Sequence, residues 1–425
     1  MSQKPSPDSR SRWRSRSHDE AHKGATTTVP EFFSGAPEMP ELVQTPGELE
    51  QLVAGLRRDG SFAYDSEFIS ESSYYPRLCL VQVASKNRIA LIDPLGGLDL
   101  TPFWELLADP NAQKIVHAGA QDIEPVVRHL DRPAANVFDT QLAAGFVGLP
   151  YPISLKRLIA EVTESRLGRD LGFSNWDQRP LSASQLRYAA DDVRYLPAAA
   201  DELYRRLDLF GHRSAAQEEC AAACAPELFR FNPETQLLRV RGAGALSSRS
   251  AVLRELVIWR DEAAKIADLP PRAFLKDEIL VSLAADPVRS VEQLAGIRGL
   301  PKSIVHGAGA AIIQATIRAL SLPPVEFPGA ADPEPAPAEK FRSDAFYAAV
   351  QCICSGLSLD PGLVANRKQV AELYRYAMSG GTGELPMMLE GWRGAAVGNR
   401  VLRLVQGKGA LGLRWEPNGL RINAD

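Results

Sequence analysis

The sequence predicts an α/β domain built on a mixed sheet, followed by two all-α helical bundles. Three observations predict it. Strand-like runs at Ser61–Phe68, Leu78–Ala84 and Arg88–Asp93 have connections short enough for an antiparallel meander, and strand–helix alternation comes after them. From Ser248 onward, apolar residues recur almost wholly at helical spacing. A Pro-rich stretch, 322–339, then divides the helical half in two. A chain of 425 residues is also too long for one ordinary core.

The elements follow in order. Residues 1–30 are hydrophilic and carry Arg10, Arg12, Arg14 and Arg16 among Asp8, Asp19 and Glu20. With no apolar centre for a secretory signal, and with acids that argue against a transit peptide, they read as a disordered, slightly basic tail. The α/β domain is expected over 31–217. Thr45 and Glu48 form a capping-box pattern, and Leu49, Leu52, Val53 and Leu56 follow at helical spacing, so a helix is expected to Asp59. After the meander come a helix at Phe103–Leu107, a buried-type strand at Lys114–His117 and a helix at Ala120–Leu130. A strand-to-helix step follows at Val137–Thr140, and the longest helix is expected over Ser182–Leu207. Residues 218–247 read as a connector.

The helical units, 248–321 and 340–425, look like copies of one another. Leu294–Gly299 matches Leu389–Gly394, and Pro271–Leu275 with Ile279–Leu283 parallels Pro361–Ala365 with Gln369–Leu373. A terminal hairpin is expected from Gly412 to Ile422, turning at Asn418-Gly419.

Composition is that of a soluble globular protein, and no stretch approaches the roughly 18 apolar residues of a membrane span. Cys79, Cys220, Cys224, Cys352 and Cys354 show no ligand-type pairing and suit a reducing cytoplasm, where the chain is expected. Cys220 and Cys224 lie four apart with no His nearby, which favours small buried side chains over a zinc site. Net charge is −4, unusual for a nucleic-acid protein. Residues 31–212 carry an acidic excess of about nine, whereas 248–322 are mildly basic. An acidic domain that must approach phosphates needs cations in its site.

Candidate site residues are carboxylates. Strand alternation puts Asp65 and Glu67 on one face, where two like charges are costly to bury unless a hard divalent cation joins them. The ordinary alternative is a pair of exposed edge-strand acids. Asp122 falls in the first turn of the Ala120–Leu130 helix, where helix capping would look the same. Asp139, immediately before a helix, reads as an N-cap. Tyr188 and Asp192 are four apart on one helix face, among Ala189, Ala190 and Val193; Asp191 is rotated about 100° away, toward solvent. An acidic pair on a strand, an acid at a strand–helix junction and a Tyr/Asp pair on a later helix can converge on two metal ions about 3.5–4 Å apart, which together bracket a displacement at phosphorus.

In this combination the sequence resembles the DEDDy 3′–5′ exonucleases, a superfamily with a ribonuclease H-like fold, and is most similar to the bacterial ribonuclease D family. The resemblance covers roughly Leu42–Gln217 and includes Leu80–Val83, Lys114–His117, Phe138–Leu142 and Asn175–Leu181. It implies two divalent ions, Mg²⁺ or Mn²⁺, with Asp65, Glu67 and Asp192 holding the one that binds the attacking water. Asp65 would bridge to the second ion, which Asp122 helps to hold, and Tyr188 would orient the water. An ordinary Tyr pKa near 10 makes orientation a better role than deprotonation. Phe68, Trp176 and Arg179 are implied substrate contacts, each with a packing alternative; His117 is a weaker one and reads better as a structural residue. Where the family has a Lys ahead of its Trp, this chain has Arg169.

Leu256–Lys265, Asp268–Pro271 and Leu294–Gly299 resemble the HRDC domain, a helical nucleic-acid-binding accessory, and the unit from Phe341 resembles a divergent second copy. The resemblance implies hydrolysis of RNA 3′ ends to nucleoside 5′-monophosphates. The expected partner is RNA with a free 3′ end, tRNA precursors above all, with no membrane and no obligate protein partner. Deleting Ser248–Asp425 is expected to weaken or redirect RNA binding without abolishing cleavage of a short oligonucleotide. The alternatives are a proofreading-type DNA 3′–5′ exonuclease and a non-catalytic RNA-binding scaffold. The first would lack the tandem helical tail or carry a polymerase domain, and the second would have lost an acid. A helicase is excluded because no P-loop precedes the helical units.

Overall fold

The computed structural model describes residues 40–424 except 164, 169–170, 173, 325–336 and 417–418. The expected tail, Arg169, most of the Pro-rich linker and the hairpin's Asn418 lie outside the described residues.

Strand β1 (Glu41–Val43) leads into helix α1 (Pro46–Asp59), which starts at the Thr45/Glu48 capping box and ends on left-handed Gly60. The meander follows as β2 (Ser61–Ile69), β3 (Arg77–Ala84) and β4 (Ile89–Ile92). Then come α2 (Thr101–Leu107), β5 (Gln113–Val116), α3 (Ala120–Leu130), β6 (Val137–Asp139) and α4 (Thr140–Gly145). The domain continues through α5 (Leu155–Val162), α6 (Ala183–Arg194), α7 (Leu196–Phe210) and α8 (Arg213–Ala222). The sheet order is β1-β4-β3-β2-β5-β6, antiparallel through the meander and parallel at both flanks, hence mixed.

The two sheet faces bury different sets, as alternation requires. Phe62, Tyr64, Val81 and Val83 pack with Leu52, Phe103 and Ile123 of α1, α2 and α3. Ala63 and Ala84 pack with Ala190 and Val193 of α6.

Two expectations are corrected. The single helix over Ser182–Leu207 is two helices that break at Tyr195. Pro197 has no N–H for the Val193 carbonyl, which accepts the Tyr195 amide instead. The short strand β1 was not anticipated; its three residues pair in parallel with β4, too few to carry a period of their own.

The helical half begins with α9 (Pro233–Arg239), α10 (Ser250–Ile266), α11 (Pro271–Phe274), α12 (Asp277–Ala285), α13 (Val291–Ala295) and α14 (Lys302–Leu320). Leu237, Val240 and Ala243 join its core, while Ala216 and Cys220 belong to the α/β core, so the residues read as a connector are shared between two cores. Inside the bundle, Arg260 and Asp277 form a buried pair at 2.7 Å. The second helical set is α15 (Pro337–Gly356), α16 (Pro361–Val364), α17 (Arg367–Met378), α18 (Gly391–Arg393) and α19 (Asn399–Val405). Its order of long, short and long helices repeats that of α10–α12. A π-helical turn, Gly394–Gly398, joins α18 to α19; a Cβ at Gly398 would collide with the Met388 carbonyl oxygen. The hairpin β7 (Leu411–Glu416) and β8 (Gly419–Ala424) closes the chain.

This second set does not stand apart from the α/β domain. Phe346, Val350, Leu363, Trp392 and Val397 share one apolar core with Leu142 and Phe146. Arg393 grips Glu219 at 2.6 and 2.7 Å, and the Trp392 indole donates to the same carboxylate at 2.7 Å. The first set docks on the loop after β2, where the Tyr74 hydroxyl donates to Asp261 at 2.8 Å and Lys265 lies over the Tyr75 ring. No helix among the described residues is long and apolar enough to cross a membrane.

Candidate active site

Asp65 and Glu67 lie on β2 opposite Gln82 and Leu80 of β3, on the sheet face that α6 covers. Burial raises the Asp65 carboxyl to about 6, partly offset by the Ser66 backbone amide. The strand bulges between Glu67 and Phe68. Such a bulge re-aims the next side chain. Phe68 stays half-buried there.

Asp122 is buried in the first turn of α3, but it does not cap the helix. Its carboxylate accepts the Ser66 hydroxyl, and the Tyr64 hydroxyl donates to its backbone carbonyl at 2.6 Å. The first turn of α3 is therefore pinned to β2 by the two residues that alternate with Asp65. Burial, and then the charge of Asp65, raise the Asp122 carboxyl well above the usual range. Strand periodicity does not single out Ser66, although its place between two acids on β2 is a usable signal.

Asp139 caps α4 as expected, accepting from Gln141 N at 2.8 Å and Leu142 N at 3.4 Å. It also accepts from Ala118 N at 3.0 Å and Gly119 N at 3.1 Å, which fixes the turn that launches α3. A Cβ at Gly119 would press into the Val116 side chain, so the turn needs glycine.

Tyr188 and Asp192 share a face of α6, which starts at a Ser182/Gln185 capping box and buries Ala189, Ala190 and Val193 completely. Tyr188 and Asp192 line a cavity of about 570 Å³ with Lys156, Arg187, Leu155 and Leu171. Asp191 also lines it, and its carboxylate is paired with Arg194 at 3.0 Å rather than simply solvated.

For His117, Arg179 and Trp176 the structure shows the structural role that stood beside substrate contact. His117 is held through Nδ1 to the Thr140 hydroxyl and through Nε2 to the Ile153 carbonyl, each at 3.0 Å, and burial lowers its pKa. Arg179 binds Asp93 in two bonds of 2.7 Å and also donates to the carbonyls of Cys79, Trp176 and Gln178. Trp176 is 1% exposed, packed on Leu80, Leu91 and Ala189. It anchors the approach to α6. The polar atoms of His117 and Arg179 are engaged by protein, whereas Trp176 is buried by packing, its indole N–H without a partner among the described residues. Phe68 keeps surface to offer.

Among the described residues, no three His, Cys, Asp or Glu side chains are gathered into a ready-made metal cage. The donor set is nonetheless suited to a hard cation, being all carboxylate oxygen. Asp65 and Asp122 are desolvated, and the charge of Asp65 raises Asp122 further. A cation relieves that repulsion.

Comparison with known proteins agrees with this arrangement. A family model described as 3′–5′ exonuclease matches residues 40–208, and one described as HRDC domain matches 249–316. The chain is 34% identical over 386 residues to ribonuclease D of Gluconacetobacter diazotrophicus, covering 89% of this chain and 96% of that protein. It is 33% identical over 380 residues to ribonuclease D of Pseudomonas paraeruginosa, covering 88% of this chain and 100% of that one. Among solved structures it is similar to Escherichia coli RNase D, described as an exoribonuclease involved in structured RNA processing. That match has a TM-score of 0.72 and 27% identity, over 87% of this chain and 99% of the other.

Proposed function

We propose that this chain, which belongs to the ribonuclease D family and is a 3′–5′ exoribonuclease, works through divalent cations held by Asp65, Glu67, Asp122 and Asp192. The observation that carries this reading is the pair Asp65 and Asp122, two desolvated carboxyls on the neighbouring elements β2 and α3. Desolvated acids with raised pKa values and no cationic partner among the described residues cost stability, and a functional site is where such a cost is retained.

Bound Mg²⁺ or Mn²⁺, two ions in this reading, would supply a water of lowered pKa and charge stabilisation at the leaving oxygen. The chain's own residues do the rest. In this reading Asp65 and Glu67 would offer oxygens from one strand face, Asp192 would add its own from α6, and Asp122 from α3, where Ser66 holds it. Tyr188, a turn before Asp192, orients the attacking water through its hydroxyl. The cavity beside Tyr188 takes the terminal nucleotide, with Lys156 and Arg187 supplying positive charge for phosphate. The products are nucleoside 5′-monophosphates.

The substrate we assign is RNA with a free 3′ end, tRNA precursors in particular, in the cytoplasm. What supports RNA is the family and the helical unit matched to the HRDC domain. To Phe68, half-buried just past the bulge in β2, we assign the wedge against terminal bases. The test uses matched RNA and DNA oligonucleotides labelled at the 5′ end, with Mg²⁺ and with EDTA. Stepwise shortening of RNA, abolished by EDTA, is expected; equal shortening in EDTA, or shortening of DNA alone, overturns the reading.

A further inference from the structure

Gln82 is a polar side chain in an apolar place. It is fully buried on β3, on the face where its neighbours are Leu80, Ala84 and the cross-strand Leu91. Neither its amide nitrogen nor its amide oxygen has a hydrogen-bond partner among the described residues. Leu or Met would fill such a position without stranding an amide, so the polarity needs a reason. Directly opposite on β2 is Asp65. Opposed residues on one face of an antiparallel pair have Cβ atoms about 4.5–5.5 Å apart, within reach of a glutamine. The Asp65 carboxyl takes a hydrogen bond from the Ser66 amide, and no side-chain donor to it is found among the described residues. An idle donor thus faces an acceptor with capacity to spare. Ala189, Ala190 and Val193 of α6 pack over this face of the sheet.

We propose that Gln82 is a positioning residue for the acidic site, its amide, which makes no hydrogen bond in this structure, turning to donate to Asp65 and holding that carboxylate in the orientation that binds the cation. This rests on the reading of Asp65 as a cation ligand. Gln82 touches neither substrate nor cation. It acts through Asp65, as groups that orient metal ligands commonly do.

The test follows thermal melting in EDTA and across a Mg²⁺ series, together with RNA-trimming kinetics, for the wild type, Gln82→Met, Gln82→Glu and Asp65→Asn. Gln82→Met keeps the shape and removes the polar atoms, so its melting temperature in EDTA should equal or exceed that of the wild type. Its Mg²⁺ midpoint should rise and its kcat fall by about tenfold or more, with KM for RNA little changed. Gln82→Glu, which cannot donate when ionised, should do no better. Wild-type Mg²⁺ midpoint and kcat in Gln82→Met, while Asp65→Asn has lost its Mg²⁺ response, would overturn the role of Gln82 alone. An unchanged Mg²⁺ response in Asp65→Asn would overturn the underlying reading as well.

Discussion

The Ser66 hydroxyl donates to the carboxylate of Asp122, joining the strand that carries Asp65 and Glu67 to the first turn of α3. Ser66→Ala removes that donor and leaves a buried carboxylate with less support. The Asp122 carboxyl should move still further up, because the bond that lowers it is gone. We expect a stability loss of about 1.5–3 kcal/mol and a clear fall in kcat, read by thermal melting and steady-state trimming. A variant with both unchanged would show that the bond positions nothing.

The pH dependence has a definite sign. With Asp65 raised to about 6, this carboxyl takes up a proton as pH falls through that value, and protons then compete with the cation. Activity should drop below about pH 6, and more Mg²⁺ should move the drop to lower pH. Stability of the metal-free protein runs the other way at this residue. A raised folded pKa means tighter proton binding in the folded state, so its contribution improves as pH falls from above 6 toward the unfolded value near 4. Asp65→Asn should flatten that part of the melting profile in EDTA, and an identical profile would remove Asp65 as its source.

Tyr188 lines the cavity one helical turn from Asp192. Tyr188→Phe should lower kcat by about ten- to a hundredfold while sparing RNA affinity, measured by trimming rates and by binding in Ca²⁺. Equal turnover would take the hydroxyl out of the reaction.

The C-terminal helices are expected to be more than an accessory. Because Phe346 and Trp392 complete the core around Phe146, removing residues 337–425 exposes that core. The truncated chain should melt lower or aggregate, so that deletion removes more than the RNA affinity expected from sequence. Arg393→Met, which leaves Glu219 without its guanidinium partner, should cost about 2 kcal/mol. A truncation as stable as the full chain would contradict the shared core.

What the sequence made legible was local. Thr45 with Glu48, Asp139 as a cap, and the strand and helix faces of Asp65/Glu67 and Tyr188/Asp192 all follow from spacings of two to four residues. The direction of Asp122 was not legible, because its partner Ser66 lies 56 residues earlier. Trp176 and Arg179 looked like contacts for RNA because a motif shows residue types, whereas Asp93 and the carbonyls that occupy Arg179 come from other strands and turns. The grip of Arg393 on Glu219 spans 174 residues, beyond any periodicity. The break at Tyr195 was the exception: Pro197 announced it locally, but the unbroken apolar spacing around it hid the signal.

The central claim is that carboxylates on β2 and α6 hold the catalytic cations. It is tested most directly by Mg²⁺-dependent trimming of a single-stranded RNA tail by the wild type, Asp65→Asn and Asp192→Asn, each checked for a native melt. Both variants should lose roughly a thousandfold or more in rate. Trimming at the wild-type rate by both would contradict it.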